Sequence, residues 1–432
     1  MSASVTSIPS DVRRWLADGP LYYGWIVVGA CFLVGAITWG TIWSFGVFFG
    51  YIVDEFGLSH ANTSVVFSLQ AFVTFGGSAI LGFVIDRYGA SRLLLLAAGL
   101  VVLGLSLVSQ IGSFAGLLVS YGLVVATGFA IGGVIEKATP SRWFDRRRGF
   151  ATGIAGVGAG VGVFVFPPIV EGLIQEVGWR GAYSSLMLGF LAVYAVAALL
   201  VSDHPTDLDL DPSEEFPVGT PDGTSTGDDW RVQVAAASAV VRRPAFGLVF
   251  LATLGLTAAI FTILVSIVEF TTNAGLGRTV GVAALSAAGA MNVAGKVVGG
   301  AVSDRVGRSA TAASSGLFVG GGIVLLLAVP EPTGVLVAAV IFGFGWGIQI
   351  GLLAPVVADL FGTPGINVLF GLIVGSAAIS GVSAPYLAGL SFDLFGTYRP
   401  AFLAVAVASV IGGGLILIAD RLEADGSSRV SA

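Results

Sequence analysis

Apolar runs of roughly twenty residues follow one another along most of the chain, separated by short breaks that carry nearly all of its charge. About twenty residues of helix cross the hydrocarbon core of a bilayer. The pattern therefore predicts an all-α membrane protein of about twelve spans, near 24–50, 62–84, 92–110, 115–140, 149–174, 181–201, 246–268, 281–302, 311–329, 334–358, 367–390 and 400–419. The first run is too long for the apolar core of a signal peptide, and no small-residue cleavage site follows it, so it reads as a retained span.

One break differs from the rest. Residues 203–229 hold nine acids and no Lys or Arg, interspersed with Pro, Gly, Ser and Thr, the composition of a solvated linker. It divides the chain into a six-span half (1–202), an acidic linker (203–243), a second six-span half (244–420) and a tail (421–432). An internal repeat supports the division: Gly82, Asp86, Arg87 and Gly89 recur as Gly300, Asp304, Arg305 and Gly307, an offset of 218 residues. The same offset relates Gly153 to Gly371, Pro167 to Pro385 and Gly178 to Gly396. Parallel six-span repeats with a site near the bilayer midplane are an architecture of rocking secondary transporters.

Charge sets an expected orientation. With the N-terminus inside and spans alternating, fifteen Arg fall on the cytoplasmic side, and three, Arg180, Arg278 and Arg399, on the outer side. That asymmetry places both termini in the cytoplasm of a cell-membrane protein.

Composition narrows the chemistry. With 55% hydrophobic and 11% charged residues, the chain has too little polar surface for a water-soluble globule. Its single cysteine, Cys31, lies in the first span, and His60 and His204 fall in predicted loops, which argues against disulfides and a Cys/His metal site. No Gly-Lys-Ser/Thr phosphate loop is present, so ATP-driven transport is not expected, and neither a cofactor nor a catalytic residue is assigned.

The segment Gly82-Phe-Val-Ile-Asp86-Arg87-Tyr-Gly89 and its copy Gly300-Ala-Val-Ser-Asp304-Arg305-Val-Gly307 resemble the loop signature of the major facilitator superfamily. The resemblance implies the major facilitator fold, with twelve helices in two pseudo-symmetric halves. An Asp at the inner end of a span can lie against the positive N-terminus of a helix in the other half, so Asp86, Arg87, Asp304 and Arg305 are expected to act as gating residues. Trp143-Phe144-Asp145-Arg146-Arg147-Arg148-Gly149-Phe150-Ala151-Thr152-Gly153 is similar to the span-five signature of the monocarboxylate transporter and oxalate/formate antiporter group. Tyr23-Gly24-Trp25 and Gly178-Trp179-Arg180 fit the same group. Apart from any substrate, Gly149, Gly153, Gly156 and Gly160, and the pair Gly158 and Gly162, form small-xxx-small faces suited to close helix packing.

Lys296 is the base singled out within a span. About 12 Å of helix separates it from Asp304, beyond comfortable reach of the inner headgroups, and an intramembrane charge at that depth calls for a pathway or an acidic partner. The resembling carriers place a base here, usually Arg, and an Asp four residues earlier; this chain has Asn292 at that position, which can hydrogen-bond a ligand but cannot carry a proton. One fixed charge suits a monoanion better than a dianion. Trp39 and Trp43, on one face of span one, and Trp346 in span ten are expected to line the cavity, with packing or lipid contact as the alternative. Glu136 is the coupling candidate, against a structural ion pair; its neighbour Lys137 reads as reaching toward the cytoplasm.

These observations predict a carrier of a small organic anion, a monocarboxylate foremost, working by symport or exchange with a proton or counter-anion. The lipid bilayer is its other partner, and no nucleic acid is expected. A facilitator exporting neutral or cationic drug-like solutes is the alternative, followed by a channel and a membrane-embedded enzyme.

Overall fold

A computed structural model describes residues 13, 22–144, 147–208, 237–362 and 366–430. The side chains of residues 78, 79, 83, 86, 367 and 425–430 are outside that description, as are Asp145, Arg146 and residues 209–229 of the acidic linker. The described residues are helical with no strand, and ten helices are long and apolar enough to cross a membrane.

The first helix, α1 (Tyr23–Trp43), gives way at Ser44 to α2 (Phe45–Phe56), which stops at Gly57 with φ 59°. Ser59 caps α3 (His60–Ala71), its Oγ accepting from the Asn62 amide, so His60 opens a helix instead of sitting in a loop. A π-helical turn, Phe72–Gly76, leads to α4 (Ser78–Tyr88). Next come α5 (Ala90–Gln110), α6 (Phe114–Leu117), a second π-helical stretch (Leu118–Val125), α7 (Ala126–Ala138) and α8 (Pro140–Trp143).

The following helix, α9 (Arg148–Leu200), runs 53 residues, about 80 Å at 1.5 Å per residue and more than twice the hydrocarbon thickness. It bends sharply at Gly178 (φ 74°, ψ 166°), so the two spans expected at 149–174 and 181–201 are present without a loop between them. With that break, and with the α3 to α4 segment that the π turn interrupts, the ten long helices agree with about twelve spans.

The remainder is regular: α10 (Pro244–Asn273), α11 (Arg278–Val306), α12 (Arg308–Ala328), α13 (Pro332–Phe361), α14 (Ile366–Phe395) and α15 (Arg399–Val430). Most of these helices outrun the apolar runs that predicted them by a turn or so, because interfacial polar residues continue the helix after hydropathy ends.

Compactness groups the chain into two units. The first comprises residues 1–42, 77–162 and 173–222; the second comprises 43–76, 163–172 and 223–432. In the first unit, α1 lies directly on the start of α9. A Cβ at Gly158 would meet the backbone of Phe32, and one at Gly162 the backbone of Ala36, while Gly149 and Gly153 face open space. Of the expected small-residue faces, the Gly158/Gly162 pair is the one that meets α1. The aromatic signatures also converge here. The Tyr23 hydroxyl donates to Leu200 O (2.7 Å) and the Trp143 indole to Ser202 O (2.9 Å), which satisfies carbonyls at the end of α9. The Trp25 and Phe144 rings sit 4.7 Å apart.

In the second unit α11 and α13 make a similarly close crossing. A Cβ at Gly343 would meet Ala288, one at Gly347 would meet Asn292, and one at Gly295 would meet Phe344 and Gly347.

The internal repeat is visible in backbone geometry. Gly89 (φ 85°) and Gly307 (φ 102°) end the two copies of the loop motif, each closing one helix and starting the next in a conformation that suits only glycine. Gly178 (φ 74°) and Gly396 (φ 67°) repeat the correspondence. Just beyond each, an arginine donates to a carbonyl near the end of an earlier helix: Arg180 to Ile111 O and Arg399 to Leu327 O, both at 2.9 Å.

Candidate functional site

Two clusters hold the substrate and coupling candidates singled out from sequence, one in each compact unit. In the first, Glu136 on α7 is only 1% exposed, and its Oε2 accepts the Trp39 indole N–H at 3.1 Å. Gly35 makes room for the carboxylate, since a Cβ there would lie 2.9 Å from Glu136 Cγ. One turn away, the Thr38 and Tyr194 hydroxyls are 2.7 Å apart. Lys137 diverges from its neighbour as helical geometry requires: it is exposed, and its Nζ stands 4.9 Å over the Trp39 ring. Trp39 is therefore tied to Glu136 and lies near Lys137, a more specific placement than cavity lining.

In the second unit, Asn292 on α11 is 1% exposed and its Nδ2 has no hydrogen-bond partner. Lys296 follows one turn later on the same face and is partly buried. A Cβ at Gly351 of α13 would lie 3.4 Å from the Lys296 Cα, an ordinary van der Waals approach between the two helices. Trp346, also on α13, packs edge-on against Trp43 at 5.8 Å, and Trp43 continues to Phe261 at 5.2 Å and Phe67 at 5.9 Å. Gln349, which the sequence reading missed, is 5% exposed with an unpartnered Oε1, and together with Thr253 lines a cavity of about 20 Å³. Such a space is about large enough for one water. Its signal in sequence was a lone amide inside a glycine-rich apolar run.

The Asn292–Lys296 turn and the Trp43–Trp346 pair thus belong to one unit, and Trp39 with Glu136 to the other. Trp39 and Trp43, four residues apart on α1, do not share surroundings, because the chain passes from the first unit to the second between Ile42 and Trp43.

The model of the Major Facilitator Superfamily matches residues 31–373. The chain belongs to this superfamily. It is a membrane transporter with the major facilitator fold, similar over 91% of its length, at 29% identity, to monocarboxylate transporter 13 of Bos taurus, of which the match covers 89%. Monocarboxylate transporter 11 of Homo sapiens is 27% identical over 92% of this chain and 82% of its own. An MFS transporter, asaE, of Aspergillus flavus is 26% identical over 97% and 91%. Among solved structures, an inward-facing, unoccupied bacterial homologue of the human lysosomal transporter Spinster superposes with a TM-score of 0.74 at 15% identity, over 93% of this chain and 98% of that one, a likeness of fold.

Of the loop-motif residues in this facilitator, Arg87, Asp304 and Arg305 are exposed, and the Asp86 side chain lies outside the described residues. A further polar cluster in the second unit escaped the sequence reading. Arg278, at the start of α11, donates to Val47 O and stacks over the Tyr51 ring, 4.0 Å from its centroid. Its Nε is 3.8 Å from Glu171 Oε2, and Tyr51 donates to the other carboxylate oxygen at 3.3 Å. Glu269 Oε2 and Arg278 Nη1 both border Gly50, where a Cβ would come within 2.5 Å and 2.8 Å of them. Nδ1 of His60 lies 3.3 Å from Asp393 and Nε2 lies 3.7 Å from Glu269. Burial, with the Glu269 and Asp393 carboxylates beside it, pushes the Tyr398 phenol well above its ordinary range. The signal in sequence was Glu171, an acid inside the predicted fifth span, together with Glu269 one residue past the seventh. Glu269, 8% exposed, is an ionisable group that the second half carries on a long apolar helix in addition to Lys296.

Proposed function

We propose that this facilitator is a secondary carrier of a small organic anion, a monocarboxylate foremost, bound at Asn292 and Lys296 and bordered by Trp43 and Trp346. The observation that carries the reading is the buried, unpartnered amide donor of Asn292 one turn from the Lys296 ammonium. A buried donor without a partner costs about 1–3 kcal/mol, a cost that a ligand acceptor would remove. A carboxylate can take the Asn292 N–H and the lysine charge together, and the flat tryptophan rings favour small, planar ligands. The names of the relatives point to the same substrate class.

Glu136 is the coupling candidate, a desolvated carboxyl positioned by Trp39 to hold or release a proton; exchange against a counter-anion is the other mode. Asp86, Arg87, Asp304 and Arg305 gate the inner ends of their spans. The arginine asymmetry supports a cell-membrane protein with both termini cytoplasmic. Uptake of labelled lactate, pyruvate and oxalate into proteoliposomes, with ligand-induced shifts in melting temperature, tests the reading. Saturable uptake of a monocarboxylate is expected. Uptake or stabilisation confined to neutral or cationic solutes would instead establish the drug-export alternative.

A further inference from the structure

Five ionisable side chains from five helices of the second unit form a chain of alternating sign when His60 is protonated. Glu171 on α9 faces Arg278 on α11 (3.8 Å), Arg278 and Glu269 on α10 border Gly50 of α2, Glu269 faces His60 on α3 (3.7 Å), and His60 faces Asp393 on α14 (3.3 Å). Asp393 is itself fixed, because its two oxygens accept the backbone N–H groups of His60 and Ala61 at 2.9 Å, at the first turn of α3. Asn273 donates to Glu269 at 3.0 Å, which orients that carboxylate as well. The imidazole is held between Phe392 (4.1 Å) and Phe49 (5.9 Å), with the Tyr398 ring at 6.1 Å. His60 Nε2 is buried without a hydrogen-bond partner and aims at Glu269 from just beyond bonding distance.

We infer that His60 is a proton-binding site, reached from the outer face, whose occupancy ties α3 to α10 and α14 and closes that end of the transporter. Neutral imidazole leaves two carboxylates on either side of it without a cation between them. The protonated ring places one positive charge between Glu269 and Asp393 and supplies a donor at each nitrogen, so it draws together three helices from opposite halves of the sequence. Closure is thereby tied to whether a proton occupies this ring. The charged and titratable groups that face it are Glu269, Asp393 and Tyr398, with Arg278 beyond Glu269. The inference rests on the orientation proposed above, and not on the substrate class.

A test that needs no substrate uses Ser64→Cys in a Cys31→Ser background. Ser64 is one turn inward from His60, 1% exposed, and donates to the His60 carbonyl, so an impermeant maleimide reaches a cysteine there when this end opens. Labelling rates at outer pH 6 and pH 8 are compared with those of the same protein carrying His60→Gln, which cancels the intrinsic pH dependence of the thiol. The expected result is equal labelling at pH 8 and labelling about fivefold slower with His60 at pH 6, the factor that an ion pair of about 1 kcal/mol supplies. Glu269→Gln, a second variant should His60→Gln fold poorly, is expected to reduce the same difference, and His60→Arg to hold labelling slow at both pH values. Identical pH responses with and without His60 would overturn this inference alone. Labelling confined to reagent supplied from the cytoplasmic side would overturn the orientation and the inference together.

Discussion

The Trp39 indole N–H points at the Glu136 carboxylate across 3.1 Å, between two helices that the sequence separates by 97 residues. A buried carboxylate that loses such a donor is left with an unmet desolvation cost of about 1–3 kcal/mol. Trp39→Phe is therefore expected to lower thermal stability in detergent by that order. Glu136→Gln retains an acceptor for the indole but not the charge, and is expected to melt near the parent temperature while the pH dependence of uptake flattens. An unchanged pH profile in a folded Glu136→Gln protein would rule out a coupling role.

Lys296→Gln is expected to reduce carboxylate uptake in proteoliposomes by at least about tenfold, since a hydrogen bond to a charged group contributes about 1.5–3 kcal/mol. Lys296→Arg keeps the charge with a different shape and should retain part of the activity with altered substrate preference. Asn292→Ala should weaken binding without removing the charge. Parent-like uptake by a well-folded Lys296→Gln protein would refute the anion-site assignment.

The repeated loop offers a comparison of two equivalent positions. Gly89 and Gly307 both have positive φ, so alanine at either is expected to cost about 1–3 kcal/mol. Gly89→Ala should be the worse of the two. Its Cβ would come within 2.6 Å of Asp203 Oδ2, and the other oxygen of that carboxylate caps α5 through the Ala90 amide, whereas Gly307 faces open space. Melting temperatures of the pair decide the point.

Close helix contact predicts a second contrast. Gly162→Val would drive a side chain into the Ala36 backbone and is expected to destabilise by about 1–3 kcal/mol, while Gly153→Val, directed into open space, should be nearly neutral. Comparable losses at both positions would show that contact with α1 is not what sets the cost.

Orientation is tested by single cysteines at positions 222 and 331 in a Cys31→Ser background. Impermeant reagent added to intact cells is expected to label only the second; the reverse would place the termini outside.

Much of this fold follows from composition and period. A chain that is 55% hydrophobic in runs of bilayer length has to form helices in lipid, because a lipid-exposed backbone must satisfy its hydrogen bonds within each segment. The duplicated Gly-Asp-Arg-Gly motif foretold duplicated turns, since positive φ is a local property of glycine. The depth of Lys296 and Asn292 along α11 likewise needs only counting. What each buried group meets is a different matter, because it depends on residues far away in the chain. Hydropathy placed His60 in a loop and Arg278 at the outer edge, yet packing brings them to Glu269, a residue 209 positions from His60. Trp39 and Trp43 share a face in any helical projection, yet the first ring meets Glu136 and Lys137 and the second meets Trp346, Phe261 and Phe67. Backbone hydrogen bonding and hydrophobic length act locally and can be read along the chain, whereas the pairing of charges and rings depends on how distant helices cross, which only the tertiary structure decided.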